Sequence, residues 1–382
     1  MSRISVFSIS SEALADEVRA LGAPVWRARQ IEEALFGKFA ASWEDVSLVP
    51  RALRDALAAK FHSPGESFSV IEVAGEDASG TRKLLGRLAD GQLVECVIIP
   101  APDGRATVCL SCQVGCPCRC AFCASGLTGC VRSLDSGEIL AQASCAARIL
   151  GRRPDNIVFM GSGEPFLNYD AVLSAARRLN APKPSGFGVG ARRITVSTSG
   201  VVPGIERFSR EGLQLELSVS LHAPDDETRS RLMPVNRRWP LGELIPACRR
   251  YTESTGRIVT FEYTLVAGLN DGPEHVRALL RLLRPFPCRV NLIALNPVPE
   301  FAGRAPRPAE CEAFRAALVR GGVNATMRRS KGRDVSGACG QLRRARILAG
   351  ADSAAGADAP VQRSAAAPTK ASAAFSRTSS AL

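Results

Sequence analysis

The run ATVCLSCQVGCPCRCAFCASGLTGC, residues 106 to 130, opens as an apolar strand and then places seven cysteines between Cys109 and Cys130. Three uses for so many thiols compete: disulfides, a zinc site or an iron–sulfur cluster. Disulfide scaffolds belong to short secreted chains that lack a core. This chain has 382 residues, 46% of them hydrophobic, and its N-terminus, MSRISVFSISSEALADE, has none of the apolar stretch of a secretory signal. Its 13 cysteines are also an odd number, which full pairing cannot use. No apolar run reaches the roughly 18 residues of a membrane helix, so a soluble, cytoplasmic protein with reduced thiols and no membrane partner is expected.

Outward from the cysteines, strand and helix signals alternate. Strand-like runs recur at NIVFM (156 to 160), ITVST (194 to 198), QLELSVSL (214 to 221), IVTFEYTLV (258 to 266) and CRVNLIAL (288 to 295). Between them lie helical patterns such as DAVLSAARRL, LGELIPACRRYTEST, PEHVRALLRLL and PAECEAFRAALV. With ATVCLSC as the first strand this gives six βα units and a parallel sheet: an α/β fold, a partial (βα)6 barrel of TIM-like type, with active residues at the C-terminal ends of strands. The chain divides accordingly. Residues 1–65 read as a small helical accessory domain, 66–104 as a β-hairpin extension built on FSVIEVA, RKLLGRL and QLVECVII, and 105–348 as the barrel. Residues 349–382, almost wholly Ala, Ser, Gly, Pro and Thr, form a tail that cannot bury enough surface to order itself.

Lys and Arg number 49 against 37 Asp and Glu, a net charge of +12. The excess is clustered, at Arg192-Arg193, Arg237-Arg238, Arg249-Arg250, Arg328-Arg329 with Lys331 and Arg333, and Arg343-Arg344 with Arg346. Such clusters are the electrostatic footprint of a nucleic-acid partner.

Within the opening stretch, Cys116, Cys120 and Cys123 stand as CxxxCxxC, followed by a Ser/Gly loop and a helix starting near Asp135. Three thiolates on one loop can hold three irons of a cubane. A structural zinc site closes with four ligands, and Cys112, Cys118 or Cys130 could supply a fourth, so zinc stays open on spacing alone. A four-iron cluster with three cysteines leaves one iron on which S-adenosylmethionine (SAM) can chelate. The motif and the βα series after it together resemble the radical-SAM superfamily.

Further stretches narrow the resemblance. QVGCPCRCAFCASG, FMGSGEPFLNYD (159 to 170), ITVSTSGVVPGI (194 to 205), VSLHAPDDETR (219 to 229), VNLIALNPVP (290 to 299) and GACGQL (337 to 342) follow one another as in the RlmN/Cfr family of RNA adenosine methyltransferases. The similarity implies a 4Fe–4S cluster on Cys116, Cys120 and Cys123. It implies SAM contacts from Gly163 and Glu164, from Ser197, from Ser220, Leu221 and His222, and from Asn296, with a proton-handling role for Glu95. Two SAM molecules would be used per turnover. Polar methyl transfer fails at carbon 2 or carbon 8 of adenine, which offers no lone pair. In the family, Cys339 of GACGQL first takes a methyl group as a thiolate, a radical made from the second SAM activates it for addition to the base, and Cys109 resolves the covalent adduct, leaving a disulfide. The implied partners are 23S rRNA, with tRNA as a further substrate, and a low-potential donor such as flavodoxin or ferredoxin; the protein itself would be a monomer. Carbon 2 is the default, with the carbon 8 specificity of resistance-type relatives as alternative. A non-catalytic basic RNA-binding protein with a structural metal is the rival from another class. Cys112 stands where the family often has serine, Ser162 replaces a common methionine, and Cys118 and Cys130 are extra thiols.

Overall fold

The computed structural model describes residues 3–76, 79–127, 129–296, 298–328 and 341–348; Cys339 and the 349–382 tail lie outside the described residues. Ten strands form one open sheet. In chain order they are β1 (Ser69–Glu76), β2 (Arg82–Arg87), β3 (Leu93–Pro100), β4 (Ala106–Cys109), β5 (Asn156–Phe159), β6 (Ile194–Thr198), β7 (Glu216–Ser220), β8 (Val259–Leu265), β9 (Cys288–Ala294) and β10 (Asn324–Arg328). Each is bonded to the next. Pairing is antiparallel from β1 to β4 and parallel from β4 to β10. Helices α1 (Ser11–Ala20), α2 (Trp26–Glu32), α3 (Arg51–Lys60), α4 (Ser136–Leu150), α5 (Tyr169–Asn180), α6 (Val202–Phe208), α7 (Asp226–Leu232), α8 (Leu241–Thr255), α9 (Pro273–Leu283), α10 (Pro308–Arg320) and α11 (Gln341–Leu348) complete the frame.

This is the expected α/β partial barrel, with one addition. The six strands read from the sequence are joined by a seventh parallel strand, β10, whose NATMR alternates polar residues with Ala325 and Met327. Period-two alternation sets the two faces of each strand. In β8, Val259, Phe261, Tyr263 and Leu265 bury toward the helices, while Thr260, Glu262 and Thr264 point the other way, into the barrel. The crossover helix α4 begins where Asp135 and Glu138 cap each other reciprocally, Glu138 N–H to Asp135 Oδ1 at 2.8 Å and Asp135 N–H to Glu138 Oε2 at 3.0 Å.

The N-terminal helices share their core with the barrel: Leu14, Ile31, Phe36 and Leu57 belong to the same apolar cluster as Ile139, Phe187 and Val196. Arg178 of α5 fastens the junction, lying 4.7 Å over the Phe36 ring and donating to Ser11 Oγ at 2.6 Å. Among the described residues no helix is long and apolar enough to cross a membrane.

Candidate active site

The cysteine loop is closed by a small antiparallel ladder between Gln113–Gly115 and Cys130–Ser133. Gly115, at φ 84°, sits so near the returning chain that a Cβ would lie 1.9 Å from Gly129 O, so only glycine closes the ladder. Inside it, Cys116 N–H donates to Gly129 O at 2.9 Å and Cys123 N–H to Cys120 O at 3.1 Å; Ala121 N–H reaches Leu232 O, at the end of α7, at 2.9 Å. The side chains of Cys116, Cys120 and Cys123 are half-buried on this one loop. Burial pushes the Cys120 thiol up, with Cys123, Cys118 and Glu164 adding and the Arg229 cation opposing. Thiolates crowded in this way are compensated by soft cations such as iron. Among the described residues, no three His, Cys, Asp or Glu side chains converge as ligands of a single ion. Three cysteine thiols on one loop are soft donors of the kind a cubane takes, each thiolate on a different iron. The donor set fits the cluster.

Around the loop, the C-terminal ends of β5, β6 and β7 are tied together through backbone groups. Gly163, at φ 112°, packs where a Cβ would meet Cys112 Sγ at 2.8 Å, which seats the GSGEP turn against the first strand's extension. Glu164 is buried, and both its oxygens accept from amides, Oε2 from Ser199 at 2.6 Å and Oε1 from Phe166 at 2.9 Å; its own N–H donates to Gln113 Oε1 at 2.9 Å. Burial raises its carboxyl pKa against the pull of those amides. His222 follows β7 in a left-handed conformation, φ 56°. Its Nδ1 accepts from Thr264 N–H at 2.9 Å, so the neutral ring carries its proton on Nε2. Burial, and then Arg229, lower its pKa to about 3, and Phe122 of the cysteine loop packs edge-on against it at 4.8 Å. Ser197 lies in register with Ser218, both facing the barrel; Ser220 and Asn296 are part-exposed, and Leu221 is buried with its N–H on Glu262 O at 2.9 Å.

Cys109 ends β4 opposite Val97 of β3. Glu95, two residues from Val97, therefore shares its face of the sheet. Glu95 is not at an edge, since β2 and β4 flank its strand. It is buried and lies 3.3 Å from Lys83 Nζ, which is buried as well. On this face rests α11, which begins two residues after Cys339: Leu342 packs with Leu85 and Leu93, Arg343 N–H donates to Glu95 Oε1 at 2.7 Å, and Arg343 Nε donates to Leu93 O at 2.8 Å. The structure thus brings Cys109, Glu95 and the chain just past Cys339 together on one face.

Several residues were invisible to sequence reading. Arg229, in DDETR, looks like a solvated helix face, yet it is fully buried; Nη2 donates to Ser199 O at 2.7 Å and Ser220 O at 2.9 Å, Nε to Leu221 O and Nη1 to Asn236 Oδ1. Glu262 is buried inside the barrel beside Asn291, which donates to its Oε1 at 3.1 Å. The basic run at 343–346 departs from its expected use on RNA. Arg343 is turned inward, while Arg344 and Arg346 pair with Glu300 and Glu72. Arg192, Arg193, Arg237, Arg238 and Arg328 do lie exposed.

The model of the radical SAM superfamily matches residues 110–283. A protein of Moorella thermoacetica named probable dual-specificity RNA methyltransferase RlmN is 47% identical over 348 residues, 89% of this chain and 97% of that protein. One of the same name from Pelotomaculum thermopropionicum is 46% identical over 344 residues, 90% of this chain and 92% of that one. Among solved structures, a radical SAM methyltransferase from Sphaerobacter thermophilus superposes with a TM-score of 0.85 at 45% identity, covering 88% of this chain and 98% of its own.

Proposed function

We propose, since the chain belongs to the RlmN family of radical-SAM RNA methyltransferases, which work on RNA with a 4Fe–4S cluster and SAM, that it methylates carbon 2 of adenosine in 23S rRNA and in tRNA. The observation that carries this reading is the shared face of Cys109, Glu95 and α11, because two thiols acting in turn must reach one substrate carbon.

In this reading Cys116, Cys120 and Cys123 hold the cluster, and Gly163, Glu164, Ser197, Ser220, Leu221, His222 and Asn296 line the SAM site. Glu164, with both oxygens already accepting amides, would act there through the turn it shapes. When bound, the cluster and SAM supply a radical able to take hydrogen from a methyl group. Cys339 carries that group: its thiolate displaces S-adenosylhomocysteine from a first SAM, forming a sulfur–carbon bond. Once the methylene carbon so formed has bonded to carbon 2, Glu95, facing the same side as Cys109, would take the proton that leaves carbon 2, while the one odd electron left on the base would return to the iron–sulfur electron carrier. Cys109 then attacks the Cys339 sulfur; the electron pair of the broken bond goes to the methyl carbon, which gains a proton, and a disulfide remains for external thiols to reduce. An extruded or unpaired adenine is the form that reaches such a site. A flavodoxin- or ferredoxin-type donor, a cytoplasmic location and a monomeric state complete the proposal.

Nucleoside mass spectrometry of 23S rRNA and tRNA, after expression in a methylation-deficient host, tests the reaction. 2-Methyladenosine in both RNAs is the expected product; 8-methyladenosine would replace the regiochemistry, and an unmodified pool would overturn the substrate. The two thiols should fail differently. Cys339→Ala should carry no methyl group and give no product, whereas Cys109→Ala should be methylated at Cys339 and stall as a covalent RNA adduct, a nuclease-trimmed shifted band on a denaturing gel.

A further inference from the structure

Glu95 does two things that a proton acceptor alone has no need of. It forms an ion pair with a lysine that is 1% exposed while being 4% exposed itself, and it accepts the third amide of a helix from a distant part of the chain. A buried ion pair is seldom the most stable way to fill a core, and where one is kept, fixing a unique arrangement is its best-attested use. The first amides of a helix have no partner within it, and a carboxylate placed there both accepts one and meets the positive end of the helix dipole.

The apolar part of the dock is thin. Leu342 meets Leu85 and Leu93 in a small cluster separate from the main core, with Ala74 packed at its side. Three buried leucines hold a helix in place but leave its register and rotation open, so the polar contacts decide where α11 sits. The buried ones lie on β2 and β3, with Arg343 N–H on Glu95, Arg343 Nε on Leu93 O and Lys83 behind the carboxylate, while Arg344 and Arg346 add less buried ion pairs to Glu300 and Glu72. Lys83 pairs in register with Val97, which in turn faces Cys109, so lysine, carboxylate and thiol occupy one face of three adjacent strands. Cys339 precedes Arg343 by four residues in the chain.

We propose that Lys83 is a positioning residue: it holds the Glu95 carboxylate as acceptor for the Arg343 amide, and through that carboxylate seats α11 on the face where Cys109 ends β4. This rests on the two-thiol reading above. The step that depends on the seat is resolution, in which Cys109 must meet the Cys339 sulfur in line with the bond it breaks.

The test uses the full-length holoenzyme, 23S rRNA from a methylation-deficient host, and Lys83→Met, which keeps length and removes charge. The variant should still be methylated at Cys339 to the wild-type extent, yet release product at least tenfold more slowly and accumulate the covalent RNA adduct. Hydrogen exchange of a peptide spanning residues 341–348 should quicken at least tenfold without RNA present. A merely structural lysine would lower every step together and leave no adduct. If Lys83→Met folds poorly, Lys83→Gln, which removes the charge and keeps a polar group beside the intact Glu95 acceptor, decides through the exchange measurement alone. Unchanged exchange in either variant overturns the proposal, as does normal adduct resolution in Lys83→Met. Faster exchange in an enzyme whose wild type never carries methyl on Cys339 would instead leave the dock standing and sink the two-thiol chemistry.

Discussion

The parallel and antiparallel parts of the one sheet hold their functional groups by different means. In the parallel part, β5 to β7, side chains bond almost entirely to backbone: Glu164 to two amides, Arg229 to three carbonyls, His222 to the Thr264 amide. In the antiparallel part, β2 to β4, a lysine and a glutamate are buried against each other, and a helix from far along the chain leans on them. Backbone partners are fixed by the fold itself, so the parallel part is set as soon as the strands pair. The antiparallel part depends on a segment that must arrive and be held. The first arrangement suits a cofactor that needs an unchanging bed, and the second suits a residue that has to be brought to it.

Removing ligands gives the largest expected effect in the parallel part. Cys116→Ala, Cys120→Ala or Cys123→Ala should each abolish the brown iron–sulfur absorbance and all turnover, while Cys112→Ala and Cys118→Ala retain it, although Cys118 Sγ lies 3.3 Å from Ser199 Oγ. Iron lost from Cys118→Ala but kept in Cys120→Ala would reassign the loop. Next is Arg229→Met, which leaves the buried carbonyls of Ser199, Ser220 and Leu221 without their donor and should destabilise the fold by about 1–3 kcal/mol, read as a lowered denaturant midpoint. A loss below about 1 kcal/mol would mean that the strand ends are held some other way.

A smaller effect comes from pH. His222 titrates at about 3 when folded against 6.5 as the ordinary value. Below pH 6.5 the unfolded chain takes up a proton that the folded chain refuses, so stability is lost as pH falls toward 3, by about 1.4 kcal/mol per unit. Between pH 7 and 5 that amounts to about 2 kcal/mol from this one ring. His222→Asn, which tolerates the left-handed backbone, should flatten that part of the pH dependence. An unaltered slope would show that the ring is solvated. Smallest of all, deletion of residues 350–382 should leave turnover nearly intact, on the strength of their composition.

What could be read beforehand follows the same division. Periodicity and end signals located α8 and α9 to the residue, because proline and glycine punctuate both. Motif spacing singled out Cys116, Cys120 and Cys123, which the structure carries on one loop. The seventh strand was missed because NATMR is short and half polar, which reads as loop until a neighbouring strand gives its apolar side something to cover. Arg229 and Lys83 were missed for a more general reason. A charged letter in a sequence is assigned to solvent, and only the packing around it reveals that it is fully desolvated and paired. Glu95 was placed by resemblance, but what binds it, an amide some 250 residues onward, has no local signature.

The ladder that closes the cysteine loop bears on transplantation. Gly115 fits only against Gly129, its carbonyl receives the Ser162 hydroxyl at 3.1 Å, and Ala121 borrows an acceptor from the end of α7. A peptide or a foreign barrel given residues 109–130 alone would inherit the thiols without the two outside points, Ser162 and Leu232, that brace the loop. The portable unit is larger: the loop, the turn after β5 and the last residue of α7, three pieces spread over 120 or so residues of chain.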